Sequence, residues 1–296
     1  MAALELQCPA KLNLLLAVTG RRPDGFHDLV SLVAPLAWGD TLRVEAAAKL
    51  SLACDDPAVP VDDTNLVLKA AAAFRAATGW SGGARFTLTK RIPHGAGLGG
   101  GSSEAATALV LLNALAGTAL TPAALAPVAA AVGSDCALFL SGGPVVIRGR
   151  GERVEPLTPE VRTRLRGNRV LVFKPSFGIA TPWAYGRLAA EAPASHLPAA
   201  LAEARLAELL QAAARGEPMG PHLFNSFEGP AFRKFVALPV LLGRLQVRFG
   251  LAPRMSGSGS ACFAFLPDDG PPVAEVEVVV REAWGESAVV VDTKLL

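Results

Sequence analysis

A glycine-rich segment, residues 93–103, constrains this chain more than any other feature and reads PHGAGLGGGSS. Its five glycines allow positive φ angles and close approach to a ligand, so several N–H groups can turn toward one anion. Ser102 and Ser103 precede a long apolar run, and the free N–H groups at the start of a helix there would favour negative charge. The segment therefore predicts a phosphate cradle between a strand and a helix.

Two better-known phosphate loops do not fit this segment. Gly95, Gly97 and Gly100 spell the dinucleotide pattern G-x-G-x-x-G, but that pattern needs an acidic residue about 20 positions later. No aspartate or glutamate occurs in residues 105–134. The Walker A pattern needs a lysine directly after the last glycine, and none stands there. A cation that meets a nucleotide triphosphate must therefore come from elsewhere in the chain.

Composition indicates a globular protein with one large or two ordinary domains, since the chain has 296 residues of which 51% are hydrophobic. A net charge of +2 and 6% aromatic residues argue against a nucleic-acid-binding surface. The four cysteines are widely spaced, without a zinc-binding pattern, and predict reduced core residues of a cytoplasmic protein. The first residues do not show the pattern of a signal peptide.

Residues 105–134 carry no charge and are long enough to suggest a membrane span. However, Gly117 is a typical helix stop, Thr121 a typical N-cap and Pro122 a typical first helical residue. We therefore expect two buried helices joined by a short turn, and no contact with a membrane.

The remaining pattern is a mixture of strands and helices with a break at residues 155–167, where prolines and charges interrupt it. Residues 273–284 favour a strand by their valine content, although their apolar spacing also allows a helix. A second glycine and serine cluster, residues 255–261, precedes a predicted strand and could grip a pyrophosphate together with the first loop. Strands are predicted at residues 4–7, 12–18, 41–46, 85–92, 145–148, 170–174, 261–266 and 288–293, and further helices at 65–78, 201–215 and 239–248.

Three segments together resemble the GHMP small-molecule kinase family: residues 9–14 (PAKLNL), 93–103 and 255–261 (MSGSGSA). Their order and spacing extend over almost the whole chain. Further segments, at residues 24–27, 90–93, 133–135 and 225–228, resemble the branch of the family whose acceptor is a cytidine diphosphate-linked sugar alcohol.

The resemblance implies an α+β fold of two domains, a ribosomal S5 domain 2-like half at residues 1–158 and a ferredoxin-like half at 165–296, with the active site between them. It also implies that residues 273–284 form a helix. The implied activity is ATP-dependent phosphorylation of an alcohol group, with Mg²⁺ bound mainly by the oxygens of ATP. The protein would be a monomer or a weak homodimer that acts on a small molecule.

The family motifs imply that Lys11 and Asp135 are the catalytic residues. Lys11 would stabilise the charge of the transferring phosphoryl group, and Asp135 would orient or deprotonate the acceptor hydroxyl. Because burial raises a carboxyl pKa and a nearby lysine lowers it, the two should be treated as one unit. From the pattern alone, an ordinary strand-end lysine and a structural aspartate remain alternatives.

The motifs also imply two sets of binding residues. His27 would recognise the cytosine edge while Phe26 and Tyr185 stack on the base, although Phe26 stands where relatives have a tyrosine. We attribute Glu104 to the helix dipole rather than to a metal site. The acceptor set is completed by Asn13, Thr181, Gly257, Ser258 and Gly259. The nucleotide set comprises Asn65, Leu66, Lys90, Pro93, His94, Gly95, Ala96, Gly97, Leu98, Gly99, Gly100, Gly101, Ser102 and Ser103.

Three other functions remain open from the sequence. A homoserine or mevalonate-type kinase would share the fold but would have no cytosine site. An S5-like RNA-binding module would need a basic face with aromatic platforms. A Rossmann oxidoreductase would need the missing ribose-binding acid.

Overall fold

The computed structural model describes residues 3–296, and the packing of the chain divides it into two compact units. The first unit contains the residues up to Lys11, Trp38–Pro93 and Gly99–Gly143, and the second contains Leu12–Ala37, His94–Leu98 and Pro144–Leu296. Each unit is discontinuous in sequence because the chain passes from one to the other several times. The two domains expected at residues 1–158 and 165–296 stay a prediction.

The elements alternate along the chain. The strands are β1 (Leu4–Arg21), β2 (His27–Ala47), β3 (Ser51–Cys54), β4 (Gly83–Thr89), β5 (Val145–Gly149), β6 (Arg153–Pro156), β7 (Arg169–Lys174), β8 (Phe224–Asn225), β9 (Arg254–Met255), β10 (Cys262–Phe265) and β11 (Val289–Lys294). The helices are α1 (Leu66–Thr78), α2 (Gly100–Ala116), α3 (Pro122–Val132), α4 (Pro159–Leu165), α5 (Thr181–Ala190), α6 (Ala199–Arg215), α7 (Glu228–Lys234), α8 (Ala237–Phe249) and α9 (Val273–Trp284).

In the first unit, the end of β2 pairs antiparallel with β4 in a register that sets Thr41 opposite Thr89, and β3 pairs parallel with β4. Helices α1, α2 and α3 pack against one another. Phe74 on α1 and Phe86 on β4 are fully buried. Most of α2 is buried as well, which explains why residues 105–116 carry no charge.

The predicted pair of helices in residues 105–134 is confirmed. Gly117 ends α2 with a φ of 65°, in the left-handed region. Thr121 accepts a hydrogen bond from Ala124 N at the start of α3, and Pro122 is the first residue of that helix. Within residues 3–296, no helix has the combination of length and hydropathy that a membrane span requires.

In the second unit, β7 lies between β11 and β10, and β10 also pairs with β9, all antiparallel. The beginning of β2 pairs with β5, which pairs with β6, and β1 pairs parallel with β8 through Leu15 and Leu16. Residues 273–284 form helix α9, so the family resemblance was right and the propensity for a strand was wrong. The helix buries Val276, Val279 and Val280 on one face, and this burial outweighs the preference of valine for strands.

A single strand, β1, spans the stretch in which the sequence predicts two separate strands. β1 continues through Pro9, where we expected a break between residues 7 and 12. The bare backbone of Gly39 lies against this point, since a Cβ there would come within 1.9 Å of the Cys8 carbonyl oxygen. Close packing of β2 thus keeps the strand extended across the proline.

Candidate active site

Lys11 and Asp135 act on each other in the first unit. Lys11 is 5% exposed although it is a lysine, and burial lowers its pKa while the charge of Asp135 raises it. Asp135 is half-buried and follows the end of α3, in the turn after Gly133. The structure therefore brings together the two residues that the motifs imply to be catalytic.

The beginning of α2 lies beside Lys11. Gly99 precedes the helix with a φ of 74°, and a Cβ on this residue would come within 2.9 Å of Lys11 Cγ and 3.2 Å of Lys11 Cε. Ser103 N donates to Gly99 O at 2.9 Å, whereas Ser103 Oγ is buried and has no hydrogen-bond partner among residues 3–296. The Lys11 side chain thus lies beside the helix start where the phosphate cradle is expected, and that helix also carries an unpaired hydroxyl.

Three charged side chains, Asp40, Lys90 and Glu104, form a buried group beneath this helix start, which we call the Lys90 cluster. Lys90 Nζ lies 2.7 Å from Asp40 Oδ2 and 2.5 Å from Glu104 Oε1. The side chains of Lys90, Asp40 and Glu104 are 8%, 0% and 5% exposed, respectively. Lys90 is therefore bound to two carboxylates, and its predicted contact with adenine stays a prediction.

Pairing and burial change the pKa values in the Lys90 cluster. Burial, and to a smaller extent Asp40, raises the pKa of Glu104 while Lys90 lowers it, and the net result is a pKa of about 7. Burial would lower the pKa of Lys90, but its two carboxylate partners reverse this effect and raise it overall. The ammonium therefore stays charged, and Glu104 is the member of the cluster that titrates near neutrality.

Asn65 and Leu66 lie at the start of α1. Asn65 Oδ1 accepts from Val67 N at 2.8 Å, and Asn65 Nδ2 donates to Pro60 O at 2.7 Å. The side chain is thus a helix N-cap, a role that its residue type favours. Leu66 Cδ1 lies 3.4 Å from the position of a Cβ on Gly101, so this leucine contacts the glycine-rich helix start.

In the second unit, residues 95–97 lie against residues 256–261. Ser260 N donates to Gly95 O at 3.3 Å, and Ala261 N donates to Ala96 O at 3.0 Å. Ser256 Oγ donates to Gly97 O at 3.2 Å. A Cβ on Gly97 would come within 2.2 Å of Ser256 O, so only glycine fits there. Residues 95–97 of the first glycine motif therefore pack against the second glycine motif.

The segment at residues 225–228 holds this structure in place. Asn225 Nδ2 donates to Met255 O at 2.7 Å and to Gly257 O at 2.8 Å. Glu228 Oε1 accepts from Met255 N at 2.9 Å. In the sequence this segment was notable only for its resemblance to the family. In the structure its side chains fix the backbone of the second glycine cluster.

The remaining predicted acceptor residues also lie in the second unit. Asn13 Nδ2 donates to Ser31 Oγ at 2.9 Å, and Asn13 N donates to Ser256 Oγ at 3.3 Å. Thr181 Oγ1 and Ser258 Oγ are 2.9 Å apart and share a hydrogen bond. Asn13 is buried and its neighbours fix its amide, whereas Thr181 is exposed.

An aromatic group surrounds His27. The ring of Tyr185 lies 5.0 Å from that of His27, and Tyr185 also packs edge-on against Phe227 at 4.9 Å. His27 Nε2 is buried without a hydrogen-bond partner among residues 3–296. Phe26 is 49% exposed, and the Arg150 guanidinium lies 5.0 Å from its ring. Tyr185 and His27 thus lie together while Phe26 faces solvent, and their contact with cytosine stays a prediction.

Several residues that lie within or beside the site belong to none of the sequence motifs. Asp40 lies far in sequence from Lys90, and His196, whose ring is 5.7 Å from that of His27, belongs to no motif. Only the isolated acid in an otherwise apolar β2 segment could have pointed to Asp40. Within residues 3–296, no group of three or more histidine, cysteine, aspartate or glutamate side chains is arranged to hold a metal ion.

Comparison with known proteins places these features in a family. Residues 65–143 match the model of the GHMP kinases N terminal domain. The chain is 39% identical over 269 residues to the 4-diphosphocytidyl-2-C-methyl-D-erythritol kinase of Alcanivorax borkumensis, covering 89% of this chain and 82% of that protein. It is also 39% identical over 285 residues to the enzyme of the same name from Thermus thermophilus, covering 96% and 94% of the two chains.

Solved structures agree with this placement. The crystal structure of a 4-(cytidine 5'-diphospho)-2C-methyl-D-erythritol kinase has a TM-score of 0.78 and 38% identity, and the match covers 98% of this chain and 99% of that one. A homoserine kinase from Cytophaga hutchinsonii, at 17% identity and a TM-score of 0.76, shares the fold. The expected α+β GHMP kinase fold is thus confirmed. With relatives this similar over most of its length, the chain belongs to the 4-diphosphocytidyl-2-C-methyl-D-erythritol kinase family of the GHMP kinases.

Proposed function

We propose that this chain transfers the γ-phosphoryl group of ATP to the 2-hydroxyl of 4-diphosphocytidyl-2-C-methyl-D-erythritol, in the biosynthesis of isoprenoid precursors without mevalonate. The observation that carries this proposal is the buried Lys11 side chain, whose pKa is raised by the charge of Asp135 and whose stem packs against Gly99 at the start of α2. A phosphoryl-transfer site needs aligned reactants, a cation for the phosphoryl oxygens and a group for the acceptor proton. Lys11 and Asp135 can supply the last two.

The residues have distinct tasks in the proposed reaction. The N–H groups at the start of α2 bind the phosphates of ATP, because free N–H groups and the helix dipole favour anions. The family motifs assign residues 95–98 to the nucleotide as well. Lys11 neutralises the charge that spreads over the transferring phosphoryl oxygens. Asp135 orients or deprotonates the acceptor hydroxyl. Asn65, Leu66, Lys90, Pro93 and His94 complete the nucleotide site.

The acceptor is recognised by the residues around His27. The unpaired ring nitrogen of His27 can bond the polar edge of the cytosine, and the Tyr185 ring offers a face for stacking. Phe26, with 49% of its surface exposed, covers the base from another side without a phenolic hydrogen bond. Asn13, Thr181 and residues 257–259 contact the remaining polar groups of the acceptor.

Magnesium would bind to the protein together with the nucleotide. Among residues 3–296 no cluster of potential ligands could enclose the ion, and the two carboxylates beneath the cradle are already paired with Lys90. Mg²⁺ prefers phosphate oxygens and water when protein ligands are few, so we assign its binding to ATP.

A cytoplasmic location is also part of the proposal. Cys8, Cys54, Cys136 and Cys262 are free thiols, as expected in a reducing compartment. The protein would act as a monomer or a weak homodimer on a small molecule.

A turnover measurement tests the function. The purified protein is incubated with ATP and Mg²⁺, with and without 4-diphosphocytidyl-2-C-methyl-D-erythritol, and the product is followed by ³¹P NMR. We expect a new phosphomonoester signal that requires the acceptor and is lost in the Asp135→Ala variant. Turnover of homoserine or mevalonate in place of the cytidyl acceptor, without competition by CMP, would contradict the proposed substrate.

A further inference from the structure

The Lys90 cluster joins three separate parts of the first unit. Asp40 lies on β2, Lys90 follows β4, and Glu104 lies in the second turn of α2. Asp40 Oδ1 also accepts from Arg91 N at 2.6 Å and from Ile92 N at 2.8 Å. The backbone that leads into the glycine-rich segment is therefore attached to the same carboxylate as the ammonium that binds Glu104.

The cluster lies directly under the glycine-rich helix start. A Cβ on Gly100 would be 3.3 Å from Lys90 Nζ and 3.4 Å from Asp40 Oδ2. Together with Cγ2 of Ile92, also at 3.3 Å, these charged atoms therefore lie beside the backbone of Gly100, whose N–H belongs to the proposed phosphate cradle. A change of charge in the cluster acts on the cradle at short range and in a buried environment, where screening by water is weak.

The charges in the cluster do not cancel when all three groups are ionised. Two carboxylates and one ammonium leave a net charge of −1, whereas protonation of Glu104 leaves a neutral cluster. The other titratable groups that face Glu104 are the thiols of Cys8 and Cys54, and burial raises the pKa of both, that of Cys8 to about 12. Both thiols are therefore neutral near pH 7 and add no charge to the cluster.

We propose that Glu104 is a positioning residue that sets the affinity of the cradle for nucleotide phosphates through Lys90 and Asp40: its ionised form weakens phosphate binding and its protonated form strengthens it. This inference rests on the proposed ATP site. Because burial raises the pKa of Glu104 to about 7, the affinity falls as the pH rises through neutrality. Nucleotide binding in turn raises the proton affinity of Glu104, so binding takes up protons.

Calorimetric titration with ADP at pH 6 and pH 8 tests this inference on the Glu104→Gln variant, which keeps the shape of the side chain but not its charge. At pH 6 we expect equal dissociation constants for the variant and the original protein. At pH 8 we expect the variant to bind ADP roughly fivefold more tightly, the effect of one nearby charge at an intermediate dielectric. The Glu45→Gln variant is the matched control, because Glu45 lies on the same strand as Asp40 in an exposed pair with Arg85.

A ratio of dissociation constants that is the same at both pH values would overturn the inference, since a purely structural effect does not depend on the charge of Glu104. The Glu104→Asp variant should retain the pH dependence. If Glu104→Gln does not fold, the inference can be tested on the original protein by measuring proton uptake on ADP binding. Titrations at pH 7.5 in two buffers of different ionisation enthalpy should then show uptake of a few tenths of a proton. Absence of uptake would refute the inference. Failure of every variant to bind ADP would instead refute the nucleotide site itself.

Discussion

The side chain of Lys11 lies against the backbone of Gly99, so closely that a Cβ on Gly99 would come within 2.9 Å of Lys11 Cγ. This contact connects a buried strand lysine to the first residue before α2. The glycine thus serves two physical needs at once, a positive φ of 74° and space for the lysine stem.

Substitution of Gly99 should therefore impair catalysis beyond its effect on stability. In Gly99→Ala the new methyl group displaces Lys11, and we expect kcat to fall by a factor on the order of 10². Gly117→Ala is the matched control, because Gly117 has a φ of 65° at the other end of the same helix with no atom within 4 Å. It should lose roughly 1 kcal/mol of stability and keep its kcat. Equal kcat losses in the two variants would contradict the proposed role of Lys11.

The link between Lys11 and Asp135 predicts a pH effect. Burial lowers the pKa of Lys11 and Asp135 partly restores it, so Asp135→Asn should lower this pKa further. Lys11 would then lose its charge at a lower pH, and the loss of ATP affinity at alkaline pH should shift downward. Calorimetric titrations between pH 7 and pH 10 measure this shift, with exposed Asp63→Asn as the control. If nucleotide affinity falls at the same alkaline pH in Asp135→Asn as in the original protein, Lys11 and Asp135 are not coupled.

The Lys90 cluster makes a strong prediction about stability. Lys90→Met leaves two buried carboxylates without their cation, and such a loss costs about 3–5 kcal/mol. Arg85→Met is a matched control in the same unit, since its pair with Glu45 is largely exposed and should contribute less than about 1 kcal/mol. Urea unfolding of both variants measures the free energies. Similar losses would mean that the cluster is not the buried ionic unit described above.

His27 should make the fold sensitive to acid. Burial lowers its pKa, and the nearby His196 lowers it further, so the folded state favours the neutral ring. The contribution of His27 to stability is complete above the ordinary pKa of about 6.5 and is lost as the pH falls through the lowered value. We expect His27→Gln to lose less stability between pH 7.5 and pH 5 than the original protein, as measured by urea unfolding. The same pH dependence in His27→Gln as in the control His222→Gln would exclude His27 as the cause.

Local features of the fold could be predicted because their causes lie within a few residues. Thr121 and Pro122 mark the start of α3 by capping and by a fixed φ, and Gly117 marks the end of α2. Helix α9 required more than local propensity, since burial of one valine face decides its conformation. Its correct prediction came from the family resemblance.

The partners within the site could not be predicted in the same way. The helix dipole was a sufficient explanation for Glu104 in the sequence, yet the structure pairs it with Lys90 and places Asp40, 64 residues earlier in the chain, beside the same ammonium. Such contacts depend on how β2, β4 and α2 pack, which no single segment determines. The motifs identified candidate site residues, whereas only the packing of the fold shows which side chains form ion pairs with one another.

The contact between Gly97 and Ser256 limits how early the glycine-rich segment can fold during synthesis of the chain. These residues are 159 positions apart, and their hydrogen bond closes the glycine-rich segment against the second cluster. During synthesis from the N-terminus, the segment at residues 95–97 has no such partner until the ribosome has released residues 256–261. Contacts of such long range form late. A truncated chain could therefore fold its local helices and still be unable to hold a nucleotide.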